Sequence, residues 1–218
     1  MPTCTDGVQN GTETDLDCGG TCAPMQACDA GKMCVLPTDC KSSDCTGMLC
    51  QPGGCHTCWK VQYQYVNRGT DRSWSEQKFN IVKTGTSTDP LSNLKIRYWF
   101  AAKRSAALTS SIFSFPAGGS TVTATFKAVT PPRMGADTYL EIGFTSGANW
   151  SSGQSGVVDM AFHFNDWSTF TFPNGYSCDT TFTTLKDAPK VTLYDQPGNL
   201  VWGTEPPACA AGDAGACP

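Results

Sequence analysis

Charge is scarce in this sequence: Asp, Glu, Lys and Arg make up 16% of its 218 residues, against roughly 25% in ordinary soluble domains. Lys and Arg number 15 against 19 Asp and Glu, for a formal charge of −4. The clustered cations that grip a phosphate backbone are therefore missing, which excludes a nucleic-acid partner. Two histidines leave little material for general acid–base chemistry. No apolar run approaches the ~18 residues of a membrane span. The chain opens Met1-Pro2-Thr3-Cys4 without the apolar stretch of a signal peptide, so a mature chain is expected. In place of charge stand 22 Gly, 14 Pro and many Ser and Thr, the composition of a turn-rich β protein. These shortages argue against an enzyme.

Cysteine is abundant and unevenly placed. Ten of the 13 fall in the first 58 residues, and the other three are Cys178, Cys209 and Cys217. Such density in a segment poor in apolar residues means crosslinks substitute for a core, in an oxidising compartment outside the cell. Ten cysteines close five bridges. Either Cys209 pairs with Cys217 and leaves Cys178 free, or Cys178 reaches Cys55 or Cys58 and the surplus thiol lies in the tail. Cys55-His56-Thr57-Cys58 has the spacing of a zinc ligand pair, but without a second free pair it reads as disulfide.

At Trp59 the pattern changes. Short alternating runs appear at 61–67, 78–83, 94–100, 111–115, 121–129, 138–145, 157–164, 190–195 and 200–203. Leu94, Ile96, Tyr98 and Phe100 share one side of their run, opposite Lys95 and Arg97, which is the two-residue period of a half-buried strand. About nine short strands with no amphipathic helix predict an all-β, antiparallel sandwich. Residues 1–58 are then a disulfide-stapled, loop-dominated module, 59–206 the sandwich, and 207–218, rich in Ala, Gly and Pro, a linker or tail.

Several segments in order resemble family 3 carbohydrate-binding modules: Asn80-Ile81-Val82-Lys83-Thr84-Gly85, Leu94-Lys95-Ile96-Arg97-Tyr98-Trp99-Phe100, Thr138-Tyr139-Leu140-Glu141-Ile142-Gly143-Phe144, Asn165-Asp166-Trp167-Ser168 and Leu200-Val201-Trp202-Gly203-Thr204-Glu205-Pro206. The resemblance implies a nine-stranded jelly roll and a non-catalytic role in binding polysaccharide, usually cellulose. It also implies a planar strip of rings and polar groups, in which Trp167 matches the family tryptophan, flanked by Asp166 and Ser168. The upstream arginine position holds Ala161, and the loop after Ser110 lacks the family's Asp-His or Asp-Trp pair. Phe113 or Phe115 is the candidate replacement ring, one of the two having to face the core. The segment Cys4–Gly20 is similar, more loosely, to cysteine-rich extracellular modules common in myxobacterial surface and secreted proteins.

The resemblance implies a structural calcium as well. The matching positions are Ala101, Lys103, Thr171, Asn174 and Gly175, so both carboxylates are gone and calcium's hard anionic oxygens are lacking. The expectation is a lost site, with the Lys103 ammonium in the ion's place donating to Asn174 and Thr171. A second candidate for Ca2+ is the amino-terminal loop carrying Asp6, Asn10, Glu13, Asp15 and Asp17, weighed against a solvated acidic loop. Arg97 and Glu141 point away from the core and are expected to pair in a shallow groove with Trp99 and Tyr139, as bracing rather than as ligand contacts. His163 reads as a surface histidine despite Asp159 nearby, Trp202 as core, and Trp74 and Trp150 as loop residues open to a partner.

Together these readings predict a secreted protein that adsorbs to cellulose or a similar β-linked polysaccharide, with no membrane span. The rival is a structural or adhesive module that contacts other extracellular proteins.

Overall fold

Where cysteines are dense, the backbone forms almost no regular ladder. The computed structural model describes residues 4–23, 25–42, 45–51, 59–84, 89–151, 153–171, 173–196, 198–210 and 217–218. The chain divides into two compact units that part between Cys58 and Trp59. In the first, the described strands are two-residue pieces, β1 (Cys45–Thr46) and β2 (Leu49–Cys50). Disulfides Cys4–Cys22, Cys18–Cys28, Cys34–Cys45 and Cys40–Cys50 hold it, and the cystines themselves form the buried cluster. Cys55, His56 and Cys58 lie outside the described residues.

Carboxylates complete this unit by accepting backbone amides that no sheet satisfies. Buried Asp39 accepts from Gly20 (2.8 Å), Val35 (2.9 Å) and Leu36 (2.8 Å). Asp15 accepts from Leu16 and Met33, and Asp17 from Gly7.

The second unit is a two-sheet sandwich. Its strands are β3 (Trp59–Val66), β4 (Trp74–Lys83), β5 (Lys95–Phe100), β6 (Leu108–Ser114), β7 (Val122–Arg133), β8 (Ala136–Phe144), β9 (Val158–Phe164), β10 (Lys186–Asp187), β11 (Thr192–Tyr194) and β12 (Leu200–Trp202). One sheet has the order β10-β3-β4-β9-β6, the other β12-β11-β5-β8-β7, and every pairing is antiparallel. Alternation decides which side chains face inward. Tyr63 and Phe79 from the first sheet meet Tyr98 from the second, and Phe162 packs on both Tyr98 and its neighbour Phe100. All five are fully buried.

Two readings need correction. Strand β4 begins at Trp74, four residues before the apolar alternation does, because its first residues pair with β9 and the ladder holds regardless of side-chain polarity. Trp202 is half-exposed while Val201 faces the core. The described residues of the tail contact the sandwich: the Met134 amide donates to the Pro207 carbonyl (3.0 Å), Ala208 bridges Arg133, and Cys209 pairs with Cys217, one of the two expected alternatives. Among the described residues Cys178 is the free cysteine.

Candidate functional site

The outward face of the first sheet follows from register. Trp74 of β4 lies opposite His163 of β9, which lies opposite Thr109 of β6; Glu76, Ala161 and Ser111 form the next row. Just past β9, Asp166 Oδ1 accepts both the amide (3.0 Å) and the hydroxyl (2.6 Å) of Ser168. These two bonds hold the Asp166 carboxyl below its ordinary value and close a tight turn. Trp167 sits in it at φ +56°, a conformation that bulky residues avoid unless local bonds impose it. The turn directs the indole outward, 57% exposed.

One face of that indole stacks on His163, with ring centroids 4.0 Å apart and planes 6° from parallel. The His163 Nδ1 is 2.8 Å from the Phe164 carbonyl, which orients the imidazole. Across β9, Trp74 meets Phe113, 45% exposed, edge to face at 5.9 Å. The Arg68 guanidinium lies 4.5 Å from the Trp74 ring and pairs with Glu76. Since β4 and β6 flank β9, the Trp74–Phe113 contact spans the middle strand. Its outward residue there, Ala161, is only 1% exposed.

Trp167, His163, Trp74 and Phe113 thus form one aromatic surface. On the same face Lys78 pairs with Asp159 at 2.9 Å and Lys60 with Asp187 at 2.7 Å. Rings of this kind bury the C–H faces of sugars at little entropic cost.

Of the residues expected in the strip, Trp167, Asp166, Ser168 and Phe113 come together here. Phe115 does not: it is 6% exposed and packs on Phe144. Trp74 and His163 belong to the surface and were not expected in it. Extending the β4 alternation back from Lys78 through Glu76 would have placed Trp74 on this face. Asp159, expected beside His163, pairs with Lys78 instead. Trp150 is structural, stacked on Trp59 at 5.2 Å with its Nε1 donating to the Asp89 carbonyl.

On the outer face of the second sheet, buried Glu141 accepts from Arg97 Nε and Lys127 Nζ, both at 2.9 Å, with Lys95 at 3.7 Å. Burial pushes the Glu141 carboxyl up, but the two hydrogen-bonded cations outweigh it and leave the value low. Arg97 is clasped between Tyr139 (4.8 Å) and Tyr194 (4.0 Å). Trp99 is buried, and its Nε1 donates to Thr192. These groups satisfy one another.

The positions matched to the family calcium line one cavity, but their chemistry does not fit the ion. Its charged side chains are two cations, Lys103 and Arg104, with no Asp or Glu side chain in the lining, to which Pro218 also contributes. Gly175 leaves no room for an acidic side chain, because a Cβ there would lie 2.4 Å from the Gly135 carbonyl and 2.6 Å from the Ala101 amide. The expected hydrogen bonds from Lys103 to Asn174 and Thr171 do not form. Asn174 Oδ1 accepts the Tyr98 hydroxyl (3.1 Å) instead.

In the amino-terminal loop, no three of the carboxylates of Asp6, Glu13, Asp15 and Asp17 converge within 4.8 Å. Asp6 accepts from the Val8 amide and the Asn10 side chain, and Glu13 from the Asn10 amide. No described helix is long and apolar enough to cross a membrane.

Residues 60–203 match the protein family described as Cellulose binding domain. The chain is 38% identical over 148 residues to an uncharacterized protein in the celA 5′ region of Paenibacillus lautus, covering 67% of this chain and all of that one. It is 41% identical over 150 residues to endoglucanase A of the same organism, again 67% of this chain but 21% of the enzyme's length. Among solved structures, it is similar to the CBM3b of the major scaffoldin subunit ScaA from Acetivibrio cellulolyticus. That likeness has a TM-score of 0.63 and 32% identity over 70% of this chain and all of that one. The amino-terminal unit lies outside the family match.

Proposed function

The chain belongs to this family of cellulose binding domains, and we propose that it is a secreted, non-catalytic protein that adsorbs to cellulose or a similar neutral β-linked polysaccharide. The observation that carries this reading is the run of rings Trp167–His163–Trp74–Phe113 on one sheet face. Trp167 offers its free face to a pyranose ring, Trp74 and Phe113 extend the contact across β9, and the Asp166–Ser168 turn holds the leading indole. Polar side chains on the same face, Ser111 and Thr109 of β6, supply hydroxyl partners. Trp167→Ala should lower partitioning onto microcrystalline cellulose about tenfold, the worth of one stacked ring. Trp74→Ala should lower it further, since Phe113 loses its support. A chitin pull-down reports whether the surface discriminates between β-linked polymers. Retention of the wild type no greater than that of Trp167→Ala on either polymer would refute the reading.

The amino-terminal unit supports a second role, contact with other extracellular proteins. It exposes Met25 (95%), Met48 (76%) and Val35 (75%) and has no Phe, Trp or Tyr, so its apolar surface suits a protein better than a sugar.

A further inference from the structure

We infer that the cavity at the end of the sandwich, at the positions matched to the family calcium, is a site for a small oxyanion: phosphate, sulfate or the carboxylate of an acidic sugar. The cavity has a volume of about 280 Å³ and is lined by Lys103, Arg104, Thr169, Thr171, Asn174 and Pro218, among others. Its charged side chains are both cations, the opposite of the anionic side chains a divalent cation needs. The side chains of Lys103 and Arg104 form no ion pair within 4.0 Å among the described residues. The Arg104 guanidinium lies 5.9 Å from the Phe164 ring and near enough to Asp166 to draw that carboxyl down, so Lys103 carries the less compensated charge.

The backbone here is set by other groups. Asp137 accepts the amides of Ala102 and Lys103, both at 2.8 Å, and the Thr138 hydroxyl at 2.9 Å. Both its oxygens are thereby committed, and it is not among the lining residues. This double acceptor holds Lys103 at φ +53°, a strained setting for a lysine that persists only where the surroundings impose it. Two cations and two threonine hydroxyls around a concave polar wall are the donor set that oxyanions select.

The inference does not depend on cellulose binding and is tested without polysaccharide. The full chain is melted at constant ionic strength in sodium chloride, with chloride exchanged for inorganic phosphate, sulfate or galacturonate, and with calcium chloride as a separate arm. At about ten times its dissociation constant, a bound anion should raise the sandwich transition by roughly 3 °C over chloride. Amide shifts in NMR should concentrate at residues 101–104 and 169–175. A response to phosphate and sulfate points to a free inorganic anion, whereas a response to galacturonate alone points to an acidic sugar. Lys103→Asn, which tolerates the positive φ, and Arg104→Gln should each cut the response. Lys103→Asn should also keep wild-type melting in chloride and wild-type adsorption to cellulose, which separates a lost site from a lost fold. No rise above chloride with any of the three anions would overturn the inference. So would a rise unchanged in both variants, or a calcium-induced rise reversed by EGTA.

Discussion

The two units solve the same problem with opposite materials. The amino-terminal unit has no aromatic core; cystines fill its interior, and buried Asp39 alone satisfies three backbone amides. The sandwich buries ring on ring between two sheets and lets ladders satisfy the backbone. Crosslinks act chiefly on the unfolded chain, so the first unit keeps its shape while leaving Met25, Val35 and Met48 in solvent. The sandwich must bury its rings to fold, and the two large apolar rings it leaves most exposed among the described residues, Trp167 and Phe113, lie on one face. An exposed Trp167 therefore says more about function than an exposed Met25 does.

The sharpest way to break this contrast is reduction. With excess reductant under native conditions, the amino-terminal unit should lose its dispersed NMR signals entirely, since each bridge contributes about 2–4 kcal/mol and little else holds it. The sandwich should keep its fold, because its described bridge, Cys209–Cys217, closes only a short loop at its end. Simultaneous collapse of both units would show that the contrast is wrong.

A smaller effect tests how charge is used. In the first unit carboxylates hold backbone; in the sandwich Glu141 gathers three cations on a sheet face. Glu141→Gln should lower stability by about 1–2 kcal/mol, modest because its lysine partners are half-exposed, and leave adsorption to cellulose unchanged. Its folded-state pKa lies below the ordinary 4.5. The stabilisation is therefore complete above pH 4.5 and is lost as pH falls through the lower folded value. Acid titration of the melting temperature should show this loss in the wild type and a shallower one in the variant.

The smallest expected effect is that of chelation. EDTA should move neither transition by more than about 1 °C, since the loop carboxylates already accept backbone amides and the sandwich cavity offers calcium no Asp or Glu side chain. A drop of several degrees in the amino-terminal transition would instead show calcium held by Asp6, Asn10, Glu13, Asp15 and Asp17.

How far the sequence could be read depended on how local each determinant is. The alternation of Leu94, Ile96, Tyr98 and Phe100 places β5 correctly because sidedness in a strand is a matter of neighbours two residues apart. Trp167 came from the family resemblance alone; the turn that directs it outward is just as local, its bonds from Ser168 to Asp166 spanning three residues. Trp74 was not legible, because Ser75 and Gln77 are polar yet buried, and they hide a strand whose pairing with β9 comes from about 85 residues away. Phe113 and Phe115 could not be assigned individually, since the irregular register near Ser114 decides which one turns inward. Disulfide partners in the first unit depend on loop geometry that spacing does not encode.

Hydroxyl-radical footprinting of the protein adsorbed on microcrystalline cellulose tests the aromatic surface most directly. Trp167, Trp74 and Phe113 should be protected severalfold relative to the free protein, while Trp202 and the exposed methionines of the amino-terminal unit oxidise as before. Equal oxidation of Trp167 and Trp74 in the bound and free states would contradict the account.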